Sequence, residues 1–109
     1  MFLLAIPVVC AEIDGQWVGT IKRADGSKLD MRYRFKAEGN TLIGLLESRL
    51  GNGSISGGKI DGNTIEFRIT ANGLNITNTG TLSGDEIHLT ETLGTQETKF
   101  VLKRVRYDK

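Results

Sequence analysis

The side chains of this 109-residue chain that could perform chemistry are chiefly carboxylates. Glu47, Glu91 and Glu97 all fall where predicted strands approach the same end of the molecule. Two carboxylates at a suitable separation can act as acid and base in glycoside cleavage. Alternation along the strands places Glu47 outward and Glu91 inward, so Glu91 and Glu97 across the last hairpin form the candidate pair. A carboxylate-dependent glycoside hydrolase is therefore the enzymatic alternative to the non-catalytic role that we favour.

Other catalytic and metal chemistry has little support in the sequence. His88, the single histidine, lies between Ile87 and Leu89, which alternation places inward, so His88 faces solvent and leaves no base for a serine nucleophile. One histidine and one cysteine do not build a zinc site, and no Asp-x-Asp spacing indicates calcium. The loop at 51–53 lacks the lysine of a phosphate-binding loop. We therefore predict no metal site and no cofactor.

Polar side chains at inward-facing positions are the candidate ligand contacts. A buried polar group costs about 1–3 kcal/mol unless it is paired, so such residues belong either to an internal hydrogen-bond network or to a site for a guest. We predict a mouth that holds a small amphiphile or a sugar through a few polar groups on apolar walls. The candidate ligand-binding residues are Met31, Tyr33, Ser48, Asn78 and Glu91. A hydrogen-bond network without a guest is the alternative.

A recurring glycine turn organises the elements that must position these residues. Gly15, Gly39, Gly62 and Gly84 each precede a predicted strand and are separated by 24, 23 and 22 residues. This spacing matches two strands and two turns per unit, and apolar and polar residues alternate within the units. Eight sequential strands with short turns favour an all-β fold, an eight-stranded antiparallel up-and-down barrel, because closure removes exposed sheet edges. A sandwich is the alternative architecture.

The interior of such a barrel is either filled by its own side chains or open to one small ligand. Bulky residues occupy most predicted inward positions, which favours filling. Gly19, Gly44 and Gly80 also fall at inward positions, where a missing side chain either permits a bend or leaves free volume. The sequence leaves both interiors open.

Two short motifs resemble the calycin superfamily, which contains the lipocalins, the fatty-acid-binding proteins and the avidin-like barrels. The first is Gly15-Gln16-Trp17 at the start of strand one, and the second is Arg104 at the end of strand eight. In that superfamily the arginine packs across the tryptophan ring, so the resemblance implies a structural role for Trp17 and Arg104 at a closed end of the barrel. The layout is also similar to short lipocalin-like domains found alone or beside hydrolases in exported bacterial proteins. The chain lacks the disulfide and the final helix of true lipocalins, so a deep ligand cup is not implied.

The start of the chain differs from the remainder. Ten of the first eleven residues are apolar, but Phe2–Cys10 is too short to span a bilayer as a helix. The small residues before Glu12 suit a signal-peptidase site. We predict a truncated signal peptide over residues 1–11, a single β-barrel domain over residues 12–109, a secreted or periplasmic location and no transmembrane segment.

The outer surface suggests one type of partner and argues against another. Ile43 and Leu45 face outward if Leu42 and Leu46 face inward, and two large apolar residues on an exposed face indicate a homodimer interface. Scattered surface apolar residues are the alternative. The 14 Lys+Arg and 13 Asp+Glu are interspersed along the chain, so nucleic acid is not expected as a partner.

Together these observations predict an exported small barrel that binds a small amphiphilic or carbohydrate ligand or acts as a non-catalytic accessory domain. One alternative is the glycoside hydrolase that would use Glu91 and Glu97. The other is a filled barrel that acts as a dimeric protein-contact module through Ile43 and Leu45.

Overall fold

A computed structural model describes residues 12–23, 25–71 and 73–106. Consecutive antiparallel strands close into one barrel, in which the last strand pairs with the first. The strands are β1 (Gly15–Lys22), β2 (Lys28–Glu38), β3 (Thr41–Ser48), β4 (Gly51–Asp61), β5 (Thr64–Ala71), β6 (Leu74–Ser83), β7 (Glu86–Leu93) and β8 (Gln96–Arg104). The predicted eight-stranded antiparallel up-and-down barrel is confirmed, and the sandwich alternative is wrong. The predicted signal peptide at residues 1–11 lies outside the described residues.

Side-chain alternation explains why these segments form strands of a closed sheet. In β2, Met31, Tyr33 and Phe35 are buried, whereas Arg32 is half-buried and Arg34 is exposed. Successive side chains of a strand point to opposite faces, so one apolar set fills the barrel while the charged set remains in water. Closure then gives the described strands a neighbour on both sides, which removes the exposed edges that promote aggregation.

The hairpin turns define two ends of the barrel. Gly39, Gly62 and Gly84 occupy the turns after β2, β4 and β6 with φ between 60° and 62°, a left-handed conformation that glycine adopts without strain. These turns lie at the same end as the start of β1, and we call this end the base. The connections after β1, β3, β5 and β7 lie at the opposite end, which we call the mouth.

Aromatic side chains pack the interior between the two ends. The ring centroids of Tyr33 and Phe35 are 5.2 Å apart, and Phe67 lies 5.7 Å from Tyr33 and 5.6 Å from Phe35. These separations are typical of stabilising aromatic pairs. The middle of the barrel is therefore filled by its own side chains.

The three inward glycines leave no free volume. A Cβ built on Gly19, Gly44 or Gly80 would lie between 2.6 and 2.7 Å from a neighbouring atom. That distance is shorter than carbon atoms tolerate, so the space beside each glycine is already occupied. These glycines permit close packing inside the barrel and do not create a ligand cavity.

Strand β4 contains a β-bulge at Gly57 and Gly58. Ile55 and Ile60 both pack against the core although their odd separation would place them on opposite faces of a regular strand. The pairing of β4 with β5 shifts its register between these two isoleucines, as one extra residue requires. Gly57 has a φ of 62°, and Gly58 passes so close to β3 that a Cβ would lie 2.0 Å from the carbonyl oxygen of Leu42.

Replacing Gly58 by alanine should destabilise the barrel, because the contacted atom belongs to the backbone and cannot rotate away. Overpacking of this kind costs typically about 1–3 kcal/mol, so we expect the melting temperature to fall by about 10 °C. Gly53→Ala on the same strand is the matched control, since a Cβ there meets nothing within 4 Å. Circular dichroism melts that give the two variants equal stability would contradict this account of the bulge.

Candidate ligand-binding site

The base of the barrel is closed by Trp17 and Arg104. Trp17 is fully buried, and its indole Nε1 donates a hydrogen bond of 2.9 Å to the carbonyl oxygen of Ile13. The Arg104 guanidinium lies over the indole, with Cζ 4.3 Å from the ring centroid, which is a cation–π contact. This geometry matches what the calycin resemblance implies for these two residues.

Further hydrogen bonds hold the Arg104 guanidinium over the ring. Its Nε donates to Asp85 Oδ1 at 2.9 Å, and its Nη1 donates to the carbonyl oxygen of Asp14 at 3.2 Å. Its Nη2 donates to the carbonyl oxygen of Glu12. Hydrogen bonds from Arg106 and from Arg104 hold the pKa of Asp85 below its ordinary value. The segment before β1 is thereby drawn across the base.

A cavity of about 410 Å³ opens at the mouth. Its volume falls within the range of small-molecule sites, about 300–1,000 Å³. Its side-chain lining consists of Ile21, Leu29, Met31, Leu46, Ser48, Leu50, Asn52, Ile69, Thr70, Ile76 and Glu91. Most of these side chains are aliphatic, and the carboxylate of Glu91 is the one charged group in the described lining. Met31 is the one residue of this aliphatic wall that we predicted to bind a ligand, and the inward positions of the other strand residues near the mouth are the sequence signal that identifies them.

Two fully buried polar side chains, Tyr33 and Asn78, accompany the Glu91 carboxylate that lines this cavity. Asn78 is fully buried and lies directly opposite Glu91 in the pairing of β6 with β7. The Asn78 amide and the Tyr33 hydroxyl find no hydrogen-bond partner among the described residues. Buried polar groups without a partner are rare in native proteins, and each calls for an explanation such as an ordered water or a bound molecule. The predicted residues Tyr33, Asn78 and Glu91 thus belong to one polar cluster.

Burial alters the acid–base behaviour of two members of this cluster. Desolvation raises the pKa of Glu91 above its ordinary value of 4.5. Desolvation, followed by the nearby charge of Glu91, raises the pKa of Tyr33. A low-dielectric environment disfavours the charged form of both groups, so the cluster favours neutral side chains unless a cation is present.

Met31 and Ser48 are partners in the pairing of β2 with β3, and both line the cavity. Met31 is buried and contributes apolar surface. Ser48 Oγ donates to the carbonyl oxygen of Gly51 at 3.1 Å and accepts a hydrogen bond from the backbone N–H of Leu50 at 3.2 Å. The Ser48 hydroxyl therefore organises the turn between β3 and β4, and the residue lies at the mouth.

The structure does not bring Glu91 and Glu97 together. Glu97 lies opposite Thr92 on the outer face, whereas Glu91 lies opposite Thr98 and faces the interior. The two carboxylates are thus on opposite faces of the β7–β8 hairpin and cannot act on one bond. This register corrects the expectation that the last hairpin could hold an acid–base pair.

His88, the single histidine, lies on the outer surface of the barrel and away from the mouth. His88 is exposed, and its Nε2 lies 3.1 Å from Glu86 Oε1 on the outer face of β7. Within the described ranges, no three His, Cys, Asp or Glu side chains are grouped so that they could hold a metal ion. The same part of the chain contains no helix with the length and hydropathy needed to cross a bilayer.

Ile43 and Leu45 lie on the outer face of β3 and expose 44% and 48% of their surface. They border a depression that Arg34, Lys36 and Ser54 also line. These two apolar residues are therefore available for contact with another protein, as the sequence suggests for this strand.

A second depression on the outer face is larger than the mouth cavity, about 800 Å³, yet it is a weaker candidate site. It spans β1, β2, β3 and β8, and its lining mixes the charged side chains of Asp30, Arg32, Glu47 and Lys103 with apolar residues such as Val18 and Val101. This depression is more open to solvent than the mouth cavity and excludes less water, so a ligand would gain less by occupying it.

Solved structures of fatty-acid-binding proteins have the same fold as this chain. A Schistosoma mansoni fatty acid binding protein in complex with arachidonic acid matches with a TM-score of 0.63 and 14% identity over 89% of this chain and 98% of that chain. The REP1-NXSQ fatty acid transporter matches with a TM-score of 0.62 and 12% identity over 88% and 98%. A redesigned β-barrel matches with a TM-score of 0.67 and 19% identity over 86% and 92%.

At identities of 12–19% these matches establish the fold alone, the closed eight-stranded antiparallel barrel. No known protein-family model and no curated protein matches the sequence.

Replacing Glu91 by glutamine should raise the melting temperature by a few degrees near neutral pH. The pKa of this carboxyl is raised in the folded state, so its ionisation costs stability as pH rises above the unfolded value through the folded one. Glutamine carries no charge, and the gain should therefore vanish well below the ordinary pKa of 4.5, where the carboxyl is protonated in both states.

Thermal melts across this pH range measure the effect, with Glu97→Gln on the outer face of the same hairpin as control. A Glu91→Gln protein that melts below the unmodified protein near neutral pH would contradict the unfavourable burial of this carboxylate.

Proposed function

We propose that this protein binds a small amphiphile in the mouth cavity. The observation that carries the proposal is a cavity of about 410 Å³ with aliphatic walls and one acidic group, Glu91, in its described lining. Small-molecule sites have this composition, because apolar walls supply affinity and a few placed polar groups fix orientation. The unpaired Tyr33 hydroxyl and Asn78 amide beside Glu91 support a site prepared for a polar end group.

The composition of the walls favours an amphiphile over a carbohydrate. Isoleucine, leucine and methionine side chains dominate the lining, and its described part contains no aromatic ring. Burial of an alkyl chain against such walls is favourable by about 25 cal/mol per Å² of apolar surface removed from water. A sugar would instead leave its hydroxyl groups facing aliphatic side chains without hydrogen-bond partners, at a cost in free energy.

The structural neighbours support the same ligand class. One was solved in complex with arachidonic acid, and another is described as a fatty acid transporter. A fatty acid consists of an apolar chain with one polar end, which is the pattern that the mouth cavity suits.

We also propose that the barrel is exported and works outside the cytoplasm, as a secreted or periplasmic protein of bacterial type. The apolar residues 1–11 and the small residues before Glu12 support this part of the proposal. In that setting the barrel would carry a ligand or serve as a non-catalytic accessory domain, for example beside a hydrolase.

Contact between two copies of the chain is the second candidate function. Ile43 and Leu45 on the exposed face of β3 favour it, because adjacent large apolar side chains on a surface often mark a protein interface. A homodimer through this strand would leave the mouth cavity intact, so the two functions are compatible.

Filling the mouth should abolish ligand binding. Ile76 lines the cavity, and the next residue, Thr77, lies on the outer face of the same strand. We expect Ile76→Trp to weaken binding of the neutral fluorescent probe N-phenyl-1-naphthylamine by about tenfold or more, which corresponds to about 1.4 kcal/mol. Fluorescence titration measures this change.

The matched control is Thr77→Trp, which adds the same indole outside the barrel and should leave probe binding unchanged. Equal probe affinity in the two variants would mean that the probe occupies a surface other than the mouth, and the proposal would fail.

A further inference from the structure

The charge inside the mouth has the opposite sign to the one that a fatty acid requires. Glu91 supplies the one charge in the described lining of the cavity. The guanidinium of Arg104 lies at the base, over Trp17, and is bound to Asp85 and to backbone carbonyl groups. A ligand carboxylate in the mouth would therefore meet an acidic group and no cation among the described lining residues.

The groups around Glu91 can accept hydrogen bonds. Asn78 lies opposite Glu91 across the β6–β7 pair, and its buried Oδ1 and Nδ2 both have no hydrogen-bond partner among the described residues. The Tyr33 hydroxyl oxygen is likewise buried and unpaired within the described structure. A ligand that brings a positive charge and several N–H donors would satisfy the carboxylate and the Asn78 and Tyr33 oxygens, and the Asn78 Nδ2 amide group can donate to the carboxylate across the strand pair.

We propose that the amphiphile held in the mouth carries a protonated amine as its polar group, with the ammonium bound by the Glu91 carboxylate and Asn78 Oδ1 as a further acceptor. This inference rests on the proposed ligand-binding function and specifies its ligand class. The ammonium has three donors and no acceptor, which matches a site built from a carboxylate, an amide oxygen and a hydroxyl oxygen.

Other cations suit the site less well than an alkyl ammonium. A metal ion needs several protein ligands, and Glu91 has no grouped carboxylate, histidine or cysteine partners among the described residues. A quaternary ammonium has no N–H donor and is usually held by aromatic rings, which the described lining lacks. The aliphatic walls instead take an alkyl chain.

The cavity volume limits the length of that chain. A volume of about 410 Å³ is the volume that about fourteen water molecules occupy in liquid water, at about 30 Å³ each. Amphiphiles with ten carbon atoms fit this limit, so decylamine, 1-decanol and decanoate form a series with the same chain and a cationic, neutral or anionic end.

The experiment measures the affinity of each member of this series near neutral pH, at concentrations below those at which the amphiphiles aggregate, by displacement of N-phenyl-1-naphthylamine. We expect decylamine to bind at least about tenfold more tightly than decanoate, with 1-decanol between them. Non-specific electrostatic attraction to the whole protein would favour decanoate over decylamine, because the chain carries a formal net charge of +1. The expected order is the opposite one.

Two variants then test the role of the carboxylate. Glu91→Gln should lower the affinity for decylamine by about tenfold and bring the three affinities close together. Glu97→Gln removes the same charge from the outer face of the same hairpin and should leave the preference for the amine unchanged. Circular dichroism confirms that both variants are folded.

The outcomes separate the two proposals. If 1-decanol and decanoate bind but decylamine binds no more tightly, or if Glu91→Gln retains the preference for the amine, the ammonium site is refuted while the proposed ligand-binding function stands. If none of the three compounds binds or displaces the probe, the proposed ligand-binding function fails as well.

Discussion

The contact between the Arg104 guanidinium and the Trp17 indole is the interaction on which the barrel depends. The seam between β1 and β8 pairs Trp17 with Arg104 and Val18 with Lys103, whereas β1 pairs with β2 along its whole length. A cation–π contact contributes about 0.5–2 kcal/mol, and Arg104 adds hydrogen bonds to Asp85 and to the segment before β1. Because these contacts lie at the short seam, they join the two terminal strands and turn an open sheet into a barrel.

Closure at the base determines where a ligand can enter. Trp17 plugs one end, and the rings of Tyr33, Phe35 and Phe67 fill the middle, so the accessible space lies at the mouth. The polar cluster around Glu91 lies between this packed middle and the solvent. A half-buried carboxylate beside unpaired polar groups weakens the folded state, and a site that must receive a ligand is a common place for such a cost. The fold therefore separates a base that stabilises the barrel from a mouth that is available for binding.

Much of this arrangement could be predicted from the sequence, because most strands keep a regular period of two and the glycine turns repeat. That period placed Glu91 inside the barrel. It could not place Ile55 and Ile60, since the bulge between them adds one residue to β4. It also left the pairing of Glu91 with Glu97 open, because the register of a hairpin depends on its turn, and the observed register separates the two. The unpaired state of the Tyr33 hydroxyl depends on which atoms surround it in three dimensions, which alternation does not describe.

Native mass spectrometry of the protein purified gently from an exporting host tests the central claim, that the mouth holds a small molecule. If the mouth holds a small molecule, the folded chain carries a reproducible additional mass that is released on denaturation and then identified as an amphiphile. The same spectrum reports whether one chain or two are present, which bears on the Ile43 and Leu45 face. A folded protein that shows the bare chain mass, even after incubation with a lipid extract of the host, would contradict the account and indicate a barrel that acts without a ligand.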